Sequence, residues 1–356
     1  MKVKFNTLSA RLNFRNINRT SFGLTYSPEI RFNVFSGRFN NSENNTHIHL
    51  PVNKTVGNLF EVAMAVTADV TNYTAGTKNA VSNSYFVFSP SVLYRKSNVN
   101  IHAGIKPSWD SEGVKVFPNV MTEFSSVDNQ LTVQAGWIGH MRKNSYQYLA
   151  GMNPWMWAPE RITTSRITEL YGGVKGTVTD HFTYGAKIGF DKFTNQPLFI
   201  NDTNTGSSFI HLIEPSMKAI NFTGEVGYNV GEKFSFLTSL KLNRYFDFEV
   251  NAKAWGLVPL ELRSAMRLQV MRDLYVKGDL YAFNPPWHLT KSGNSRQSKG
   301  AMDLSAGLEF AVVKNVKLWA QFNNILNNEY ERWHQYPVYG FNFMGGVILS
   351  LAQNFK

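Results

Sequence analysis

Long stretches of this sequence alternate apolar and polar residues with a period of two. From 316 to 323, Val, Leu, Ala and Phe occupy the even positions, and Lys, Trp, Gln and Asn occupy the odd ones. Successive side chains of a β-strand point to opposite faces, so the pattern predicts strands with one apolar and one polar face. A helix would need a period of about 3.6 residues, and we find no convincing amphipathic helix in the sequence.

The alternation predicts about seventeen strands, joined by connections that are short and long in turn. Short turns such as 313–315 alternate with long connections rich in Asn, Gly, Ser, Pro and aromatic residues. The clearest long connections are 143–163, 195–207, 284–299 and 327–336. Tight turns at one end and long loops at the other are typical of a large up-and-down antiparallel transmembrane β-barrel. The predicted fold class is therefore all-β, with 1–356 as one transmembrane β-barrel domain.

The composition fits a barrel with a polar lumen. Charged residues make up 17% of the chain and aromatic residues 14%, whereas soluble domains carry about 25% charged residues. A soluble sandwich also alternates, but its solvent face usually carries more Lys and Glu. A propeller would show a repeat of about 40 residues, and we find none. Soluble all-β folds stay open as the alternative to a barrel in the bacterial cell outer membrane.

Charge decides which face of each predicted strand meets lipid. An Arg or Lys on the lipid face costs about 2–4 kcal/mol at the bilayer midplane, so the uncharged faces should point outward. Leu318 and Phe322 are examples of this outward face. The opposite faces should line a wet lumen, and their charged members are Glu261, Arg263, Arg267, Lys277, Asp279, Asp303, Glu309 and Lys317.

Four prolines interrupt the predicted strands. Pro28, Pro90, Pro107 and Pro118 all fall inside alternating stretches. Proline cannot donate to a ladder, and a closed barrel has no edge strand to accommodate it. We therefore expect β-bulges or strand ends at these positions.

The end of the chain resembles the penultimate-strand region of TonB-dependent receptors. The matching stretch is Asn-Asn-Ile-Leu-Asn-Asn-Glu-Tyr at 323–330, and a final strand follows at 337–351. Further similarity to receptor-like barrels of the Bacteroidetes group lies in 153–155, 171–176, 195–202 and 254–257. The resemblance implies an outer-membrane transport barrel. It would take up a small-molecule or oligomeric nutrient through a polar lumen beneath long extracellular loops.

The chain departs from this family in several ways. Members of the family have an N-terminal plug, a TonB box and about twenty-two strands, and this sequence shows no plug, no TonB box, fewer strands and no signal peptide. We therefore expect an upstream region before Met1 that carries them and contacts TonB. Missing strands should leave a seam between 3–15 and 337–351. A miscounted strand is the simpler alternative. A plugless porin, or an accessory or structural outer-membrane barrel, is the alternative function.

Aromatic and basic residues of the long loops are the candidate ligand contacts. Aromatic girdles at the membrane interfaces account for many such rings, but rings further from the strand ends could stack on an incoming ligand. The candidates are Trp155, Trp157, Arg161, Trp287, Lys291 and Trp333. Loop cations should also meet lipopolysaccharide phosphates and membrane lipid. The net charge is +11, but no basic run exceeds two residues, so we predict no nucleic-acid partner.

Nothing in the sequence assembles a convincing catalytic or metal site. His47 and His49 share a strand face, but no third metal ligand is identifiable. His140, Ser145 and Glu160 could form a hydrolase at the barrel rim, although no spacing fixes them together. A rim enzyme is the third alternative; our prediction is a protein without enzymatic activity, cofactor or metal.

Overall fold

The computed structural model of the chain describes residues 3–350, apart from 38, 39, 129, 203, 205 and 291. Strands make up 69% of the structure and helix 2%, which confirms the all-β prediction. Within the described ranges, no helix is both long and apolar enough to cross a membrane.

The elements follow one another with few irregular stretches. The strands are β1 (Asn6–Asn13), β2 (Leu24–Tyr26), β3 (Glu29–Ser36), β4 (Ser42–Val56), β5 (Phe60–Thr74), β6 (Val81–Ser82), β7 (Tyr85–Lys96), β8 (Val99–Asp110), β9 (Gly113–Ser125), β10 (Leu131–Lys143), β11 (Thr164–Thr177), β12 (Phe182–Asn201), β13 (Phe209–Val230), β14 (Phe234–Phe246), β15 (Leu260–Met271), β16 (Leu274–Asn284), β17 (Trp287–Leu289), β18 (Ser295–Gln297), β19 (Ala301–Val313), β20 (Val316–Asn323), β21 (Glu331–Trp333), β22 (Tyr336–Pro337) and β23 (Asn342–Leu349). The helix α1 (Tyr146–Met152) lies between β10 and β11.

One large antiparallel sheet contains 19 of the strands, and neighbours in sequence are neighbours in space. β2 and β3 pair with β4 in one continuous register. Together they therefore form one passage of the chain across the sheet, which we call a crossing. β6 and β7 do the same against β5. The sheet therefore makes 17 crossings, in agreement with the count from the sequence. The hairpins β17–β18 and β21–β22 stand apart from this sheet, in the long loops.

The prolines lie where ladders stop rather than at register shifts. Pro28 separates β2 from β3. The pairing between β7 and β8 is interrupted over a stretch that contains Pro90 and Pro107, and it resumes beyond this stretch in the same register. The ladder between β9 and β10 ends at Asn119, next to Pro118. Pro28 therefore lies between two strands, as expected, whereas Pro90, Pro107 and Pro118 lie inside β7, β8 and β9. The bulges expected at these three positions do not occur, because the registers of their ladders are unbroken.

Cross-strand registers assign every strand residue to one of two faces. One face carries the exposed apolar side chains, such as Leu268, Leu304 and Leu318, which are 38%, 36% and 45% exposed. On β15, β16, β19 and β20, this outward face carries no charged residue. The ladders from β14 to β20 place all eight predicted lumen residues on the opposite face.

The first and last strands of the sheet are each paired on one side. Within the described residues, the ladders of β1 and β23 run to β3 and to β20 respectively. No ladder joins β1 to β23 in that part of the chain. The described parts of these two strands are therefore not paired with each other, and the seam expected from the sequence stays a prediction.

One expectation about the long connections was wrong, and one was incomplete. The connection predicted at 195–207 is mostly strand, because β12 and β13 continue their ladder as far as the pair Asn201 and Phe209. The connection predicted at 143–163 does link β10 to β11, and it contains the seven-residue helix α1, which was not predicted. In both cases contacts from distant parts of the chain hold the local structure, as described below.

Candidate functional site

The long loops fold together over one end of the sheet. We call this region the loop cap; it consists of the described residues of 144–163, 195–214, 285–299 and 324–341. Its core contains buried aromatic and aliphatic residues from the loops and from the adjacent strand ends. They are Phe35, Tyr73, Tyr146, Leu149, Ala150, Ile162, Phe199, Phe209 and Trp333.

A buried carboxylate holds α1 in the cap. Glu43, in β4, is 2% exposed and accepts the backbone N–H groups of Tyr146 and Gln147. The Ser145 side chain accepts the N–H of Tyr148, as a helix N-cap does. These bonds satisfy donors that the first turn of any helix leaves free. A residue from a distant strand therefore makes a seven-residue helix possible.

A second buried cluster joins the end of β10 to β5. The Lys143 ammonium pairs with the Asp69 carboxylate, and both side chains are about nine-tenths buried. Asp69 also accepts from Asn45 and lies 3.2 Å from the Nδ1 atom of His47. His47 is therefore engaged in this ionic cluster, and His49 bonds Thr67 instead. The two histidines do not form a metal pair in this structure.

Another buried carboxylate fixes the loop that follows β14. Glu214, in β13, accepts the backbone N–H groups of Glu249, Val250 and Asn251 at 2.8–3.1 Å. It also accepts the Asn251 side-chain amide at 2.9 Å. Because its oxygens receive four donors, the carboxylate remains stable as an anion although it is fully buried.

Two of the predicted ligand residues meet in the aromatic part of the cap. The Trp155 ring stacks on Tyr336 with 3.8 Å between centroids. The Trp333 ring packs edge-on against Phe199 and Phe209, at 5.4 and 5.2 Å. Trp333 is only 6% exposed, so its ring is engaged in packing and is not open to a ligand here. Trp155 is half-buried and borders the same cluster.

The two loop hairpins meet through a pair of histidines. The His288 ring, in β17, stacks on His334 with centroids 4.0 Å apart. His334 also lies 3.1 Å from a carboxylate oxygen of Glu331. Burial and the neighbouring His334 lower the pKa of His288 to about 4. His288 is therefore neutral at neutral pH, which lets the two rings stack without repulsion.

The remaining loop candidates are distributed over the cap surface. Trp287 is half-buried beneath the Lys253 ammonium, which lies 4.7 Å from the ring centroid. Trp157 is 42% exposed, and Arg161 is exposed as well. Lys291 lies outside the described residues. The structure thus brings Trp155 and Trp333 into one cluster and leaves Trp157 and Arg161 at the surface.

The charged face of the sheet carries ion pairs between neighbouring strands. Glu309 accepts from Lys277 at 2.6 Å and from Lys317 at 3.1 Å. Arg263 donates to Glu261 at 2.8 Å through its Nε atom. Arg267 stacks over an aromatic ring, that of Tyr275, at 3.8 Å. Open cavities on this face are lined by Arg267, Lys277 and Asp279, by Arg263 and Asp303, and by Glu309.

Two half-buried arginines with incompletely paired guanidinium groups were not anticipated from the sequence. Arg142 lies near the end of β10, and Arg332 lies in β21. In each of them one guanidinium nitrogen is buried and donates a hydrogen bond to no described acceptor. This nitrogen is Nε in Arg142 and Nη1 in Arg332. The alternation places Arg142 on the lumen face, whereas Arg332 is positioned by the hairpin β21–β22 and donates to the backbone carbonyl of Gly256.

The residues considered for a rim hydrolase have other partners. Ser145 caps α1, and Glu160 pairs with Lys78 at 3.2 Å. His140 is exposed on β10 and, among the described residues, forms no hydrogen bond with either of them. Across the described ranges, no group of three or more His, Asp or Glu residues is placed to hold a metal ion.

Together these features define a large up-and-down antiparallel β-barrel with a charged lumen face and folded loops over one end. No known family model matches the sequence, and neither does any curated protein. Solved structures do match the fold. A mutant of the ferric enterobactin receptor PfeA from Pseudomonas aeruginosa has a TM-score of 0.70 at 11% identity, over 98% of this chain and 62% of that chain.

Two further structures share the fold. The copper transporter OprC has a TM-score of 0.68 at 13% identity, over 98% of this chain and 65% of that one. The siderophore receptor PirA from Pseudomonas aeruginosa has a TM-score of 0.66 at 14% identity, over 98% of this chain and 63% of that one. The chain thus spans somewhat less than two thirds of the length of these proteins. The TM-scores show that these proteins share the barrel fold with this chain, and at identities of 11–14% the likeness shows the fold alone.

Proposed function

We propose that this chain is the barrel of an outer-membrane transporter that resembles TonB-dependent receptors and takes up a nutrient from outside the cell. One observation carries the proposal. The outward face of β15, β16, β19 and β20 carries no charged residue, whereas the lumen face carries paired charges from β1 to β20. Such a sheet is stable only with lipid on one side and water on the other.

The structural neighbours support transport over the other functions. They are a receptor for ferric enterobactin, a copper transporter and a siderophore receptor. The loop cap fits this role, because a ligand approaching from the loop end would meet Trp155, Trp157 and Arg161 before it reached the lumen. The resemblance in 323–330 leads us to include TonB as the partner that drives uptake.

Basic residues on the outward face support lipopolysaccharide as a membrane partner. Lys192 and Lys218 are directly paired across β12 and β13, and Arg244 lies one strand further. They stand just above the exposed apolar residues Phe190 and Ile220, which are both 42% exposed. Like charges directly opposite each other repel, and Asp247 compensates only Lys218. Anionic lipid headgroups at the membrane surface would compensate this cluster.

The proposed function can be tested by measuring the growth of a strain that lacks the gene for this protein. Removal of the gene should abolish growth when one nutrient that must cross the outer membrane is scarce, and removal of TonB should have the same effect. Return of the gene should restore growth. Growth that is independent of the protein under limitation for iron, copper, phosphate and oligosaccharide would contradict the proposal. Steady conductance of the purified protein in a planar bilayer would favour a plugless porin.

A further inference from the structure

In the part of the lumen wall formed by β15, β16, β19 and β20, most charged side chains are paired. This wall carries four acids and four bases: Glu261, Asp279, Asp303 and Glu309, and Arg263, Arg267, Lys277 and Lys317. The ion pairs of Glu261 and Glu309 engage five of them, and Asp303 accepts from the Tyr330 hydroxyl at 2.9 Å. Among the described residues, the side chains of Asp279 and Arg267 form no hydrogen bond or ion pair.

The register brings these two side chains close to each other on one face. Arg267 is directly opposite Lys277, and Asp279 is opposite Ala265, so Arg267 and Asp279 are diagonal neighbours on β15 and β16. Diagonal neighbours lie roughly 7–8 Å apart, which a long side chain can span. The Arg267 guanidinium instead lies over the ring of Tyr275, 3.8 Å from its centroid. A ring contact does not neutralise a cation, so an ion pair that the register permits is not formed.

Asp279 and Arg267 line the same open cavity in the lumen wall. This cavity has a volume of about 600 Å³ and extends to the short turn at 180–181. Its floor includes the short side chains of Ser235 and Ala265 and the bare backbone of Gly227, which leave room above the sheet. Two further cavities border Asp279, so the unpaired carboxylate lies where all three meet. The volume is within the usual range for a site that binds a small molecule.

The two unpaired charges suit a ligand that carries both signs itself. A carboxylate binds an ammonium, and a guanidinium binds a carboxylate through two parallel hydrogen bonds. A simple anion or a simple cation would leave one of the two side chains unmatched. In an α-amino acid the ammonium and the carboxylate are roughly 3 Å apart, and each charged hydrogen bond adds about 2.8 Å. The total is comparable to the diagonal spacing of Asp279 and Arg267.

We propose that Asp279 and Arg267 form a binding site for a zwitterion of the α-amino-acid type on the lumen wall. Asp279 accepts hydrogen bonds from the ammonium of the ligand, and Arg267 donates to its carboxylate. The inference rests on the proposed transport function, because a ligand that passes through the lumen would meet this wall, and it names the chemical class of that ligand. Lys277 lies between the two side chains but already donates to Glu309 at 2.6 Å.

Titration calorimetry on the protein purified from outer membranes in detergent tests this inference. The probe is L-alanine; propionate carries the carboxylate alone and ethylamine the ammonium alone, all at constant ionic strength and neutral pH. L-alanine should bind saturably and about tenfold or more tightly than either single ion. Asp279→Asn and Arg267→Gln should each weaken L-alanine binding about tenfold or more, as loss of a charged hydrogen bond does. Asp273→Asn and Arg272→Gln are the controls, because they remove the same charges from the exposed turn before β16.

Arg267→Lys keeps the charge and should also lose affinity, since an ammonium cannot make two parallel bonds to one carboxylate. Heat-modifiable migration on gels shows that each variant is folded. Unchanged affinity in the Asp279 and Arg267 variants would overturn the proposal, as would the absence of saturable L-alanine binding. Propionate binding as tight as that of L-alanine would also overturn it. Binding without any effect of the gene on growth would remove the transport function and leave the zwitterion site intact, and gene-dependent growth without L-alanine binding would do the reverse.

Discussion

Glu43 accepts a hydrogen bond from the backbone N–H of Tyr146, a residue 103 positions later in the chain. Through this contact a strand near one end of the sequence determines the conformation of the longest loop. The loop would otherwise leave the first N–H groups of α1 unpaired, which is costly for buried backbone. The loop cap therefore depends on a few buried polar contacts as well as on its aromatic core.

Replacement of Glu43 by Ala should release α1 from the barrel. Loss of the acceptor leaves two buried N–H groups unpaired, which costs about 1–3 kcal/mol each. We expect faster proteolysis between 143 and 163, measured on the folded protein in detergent. Glu160→Ala is the control, because the Glu160 side chain is 88% exposed. Equal cleavage rates in the two variants would mean that Glu43 does not hold the loop.

The two faces of β20 should differ in their tolerance of charge. Leu318→Arg places a cation on the outward face, at a cost of about 2–4 kcal/mol near the bilayer midplane. Gln321→Arg places the same cation on the lumen face, opposite Gly307. The folded fraction, seen as heat-modifiable migration on gels of outer membranes, should fall strongly for the first variant only. Equal folding of both variants would argue against the assignment of faces.

Acid should loosen the contact between the two loop hairpins. His288 has its pKa lowered to about 4 in the folded state, against an ordinary value of 6.5. The unfolded hairpin therefore takes up more protons between pH 6.5 and 4, and the stabilisation is lost as the pH falls through that range. The charged groups around it are His334, Glu331 and Arg296.

Hydrogen exchange of the 287–297 segment measures this effect. Exchange should be faster at pH 5 than at pH 7, after correction for the intrinsic rates. His288→Phe keeps a stacking ring and cannot take up a proton, so it should remove most of the difference. A variant that keeps the full pH dependence would show that another group is responsible.

Trp333 and Trp157 should respond differently to truncation. Trp333→Ala removes a buried ring from the cap and should cost about 3–5 kcal/mol of stability in that region. Trp157→Ala changes an exposed ring, so thermal unfolding should be nearly unchanged while affinity for the transported ligand falls. Thermal melts followed by tryptophan fluorescence separate the two cases. A large loss of stability in Trp157→Ala would assign that ring to packing.

The basic cluster on the outward face should determine lipopolysaccharide binding. Lys192→Ala combined with Arg244→Ala should weaken lipopolysaccharide binding about thirtyfold if each of the two cations contributes about 1 kcal/mol, so less lipopolysaccharide should copurify with the protein. Lys54→Ala is the control, because Lys54 is on the same face at the short-turn end. Equal lipopolysaccharide content in the control and the double variant would contradict the proposal that this cluster binds lipopolysaccharide.

The sequence alone determined the strands and their two faces. Side chains alternate strictly along a strand, so the residues around Leu318 and Leu304 establish which face is uncharged without knowledge of any partner strand. The same alternation placed Glu261, Lys277 and Glu309 together on the opposite face. The number of crossings followed from the turns between them, because a tight turn forces the next strand to run back beside the last.

Only the tertiary structure decided the loop cap. Glu43 and Tyr146, or Trp155 and Tyr336, are far apart in the chain, and no local pattern marks them as partners. The helix α1, the extended tips of β12 and β13 and the stacking of His288 on His334 all depend on such contacts. Alternation along a strand is a property of neighbouring residues, whereas a binding site in folded loops depends on which distant segments pack together.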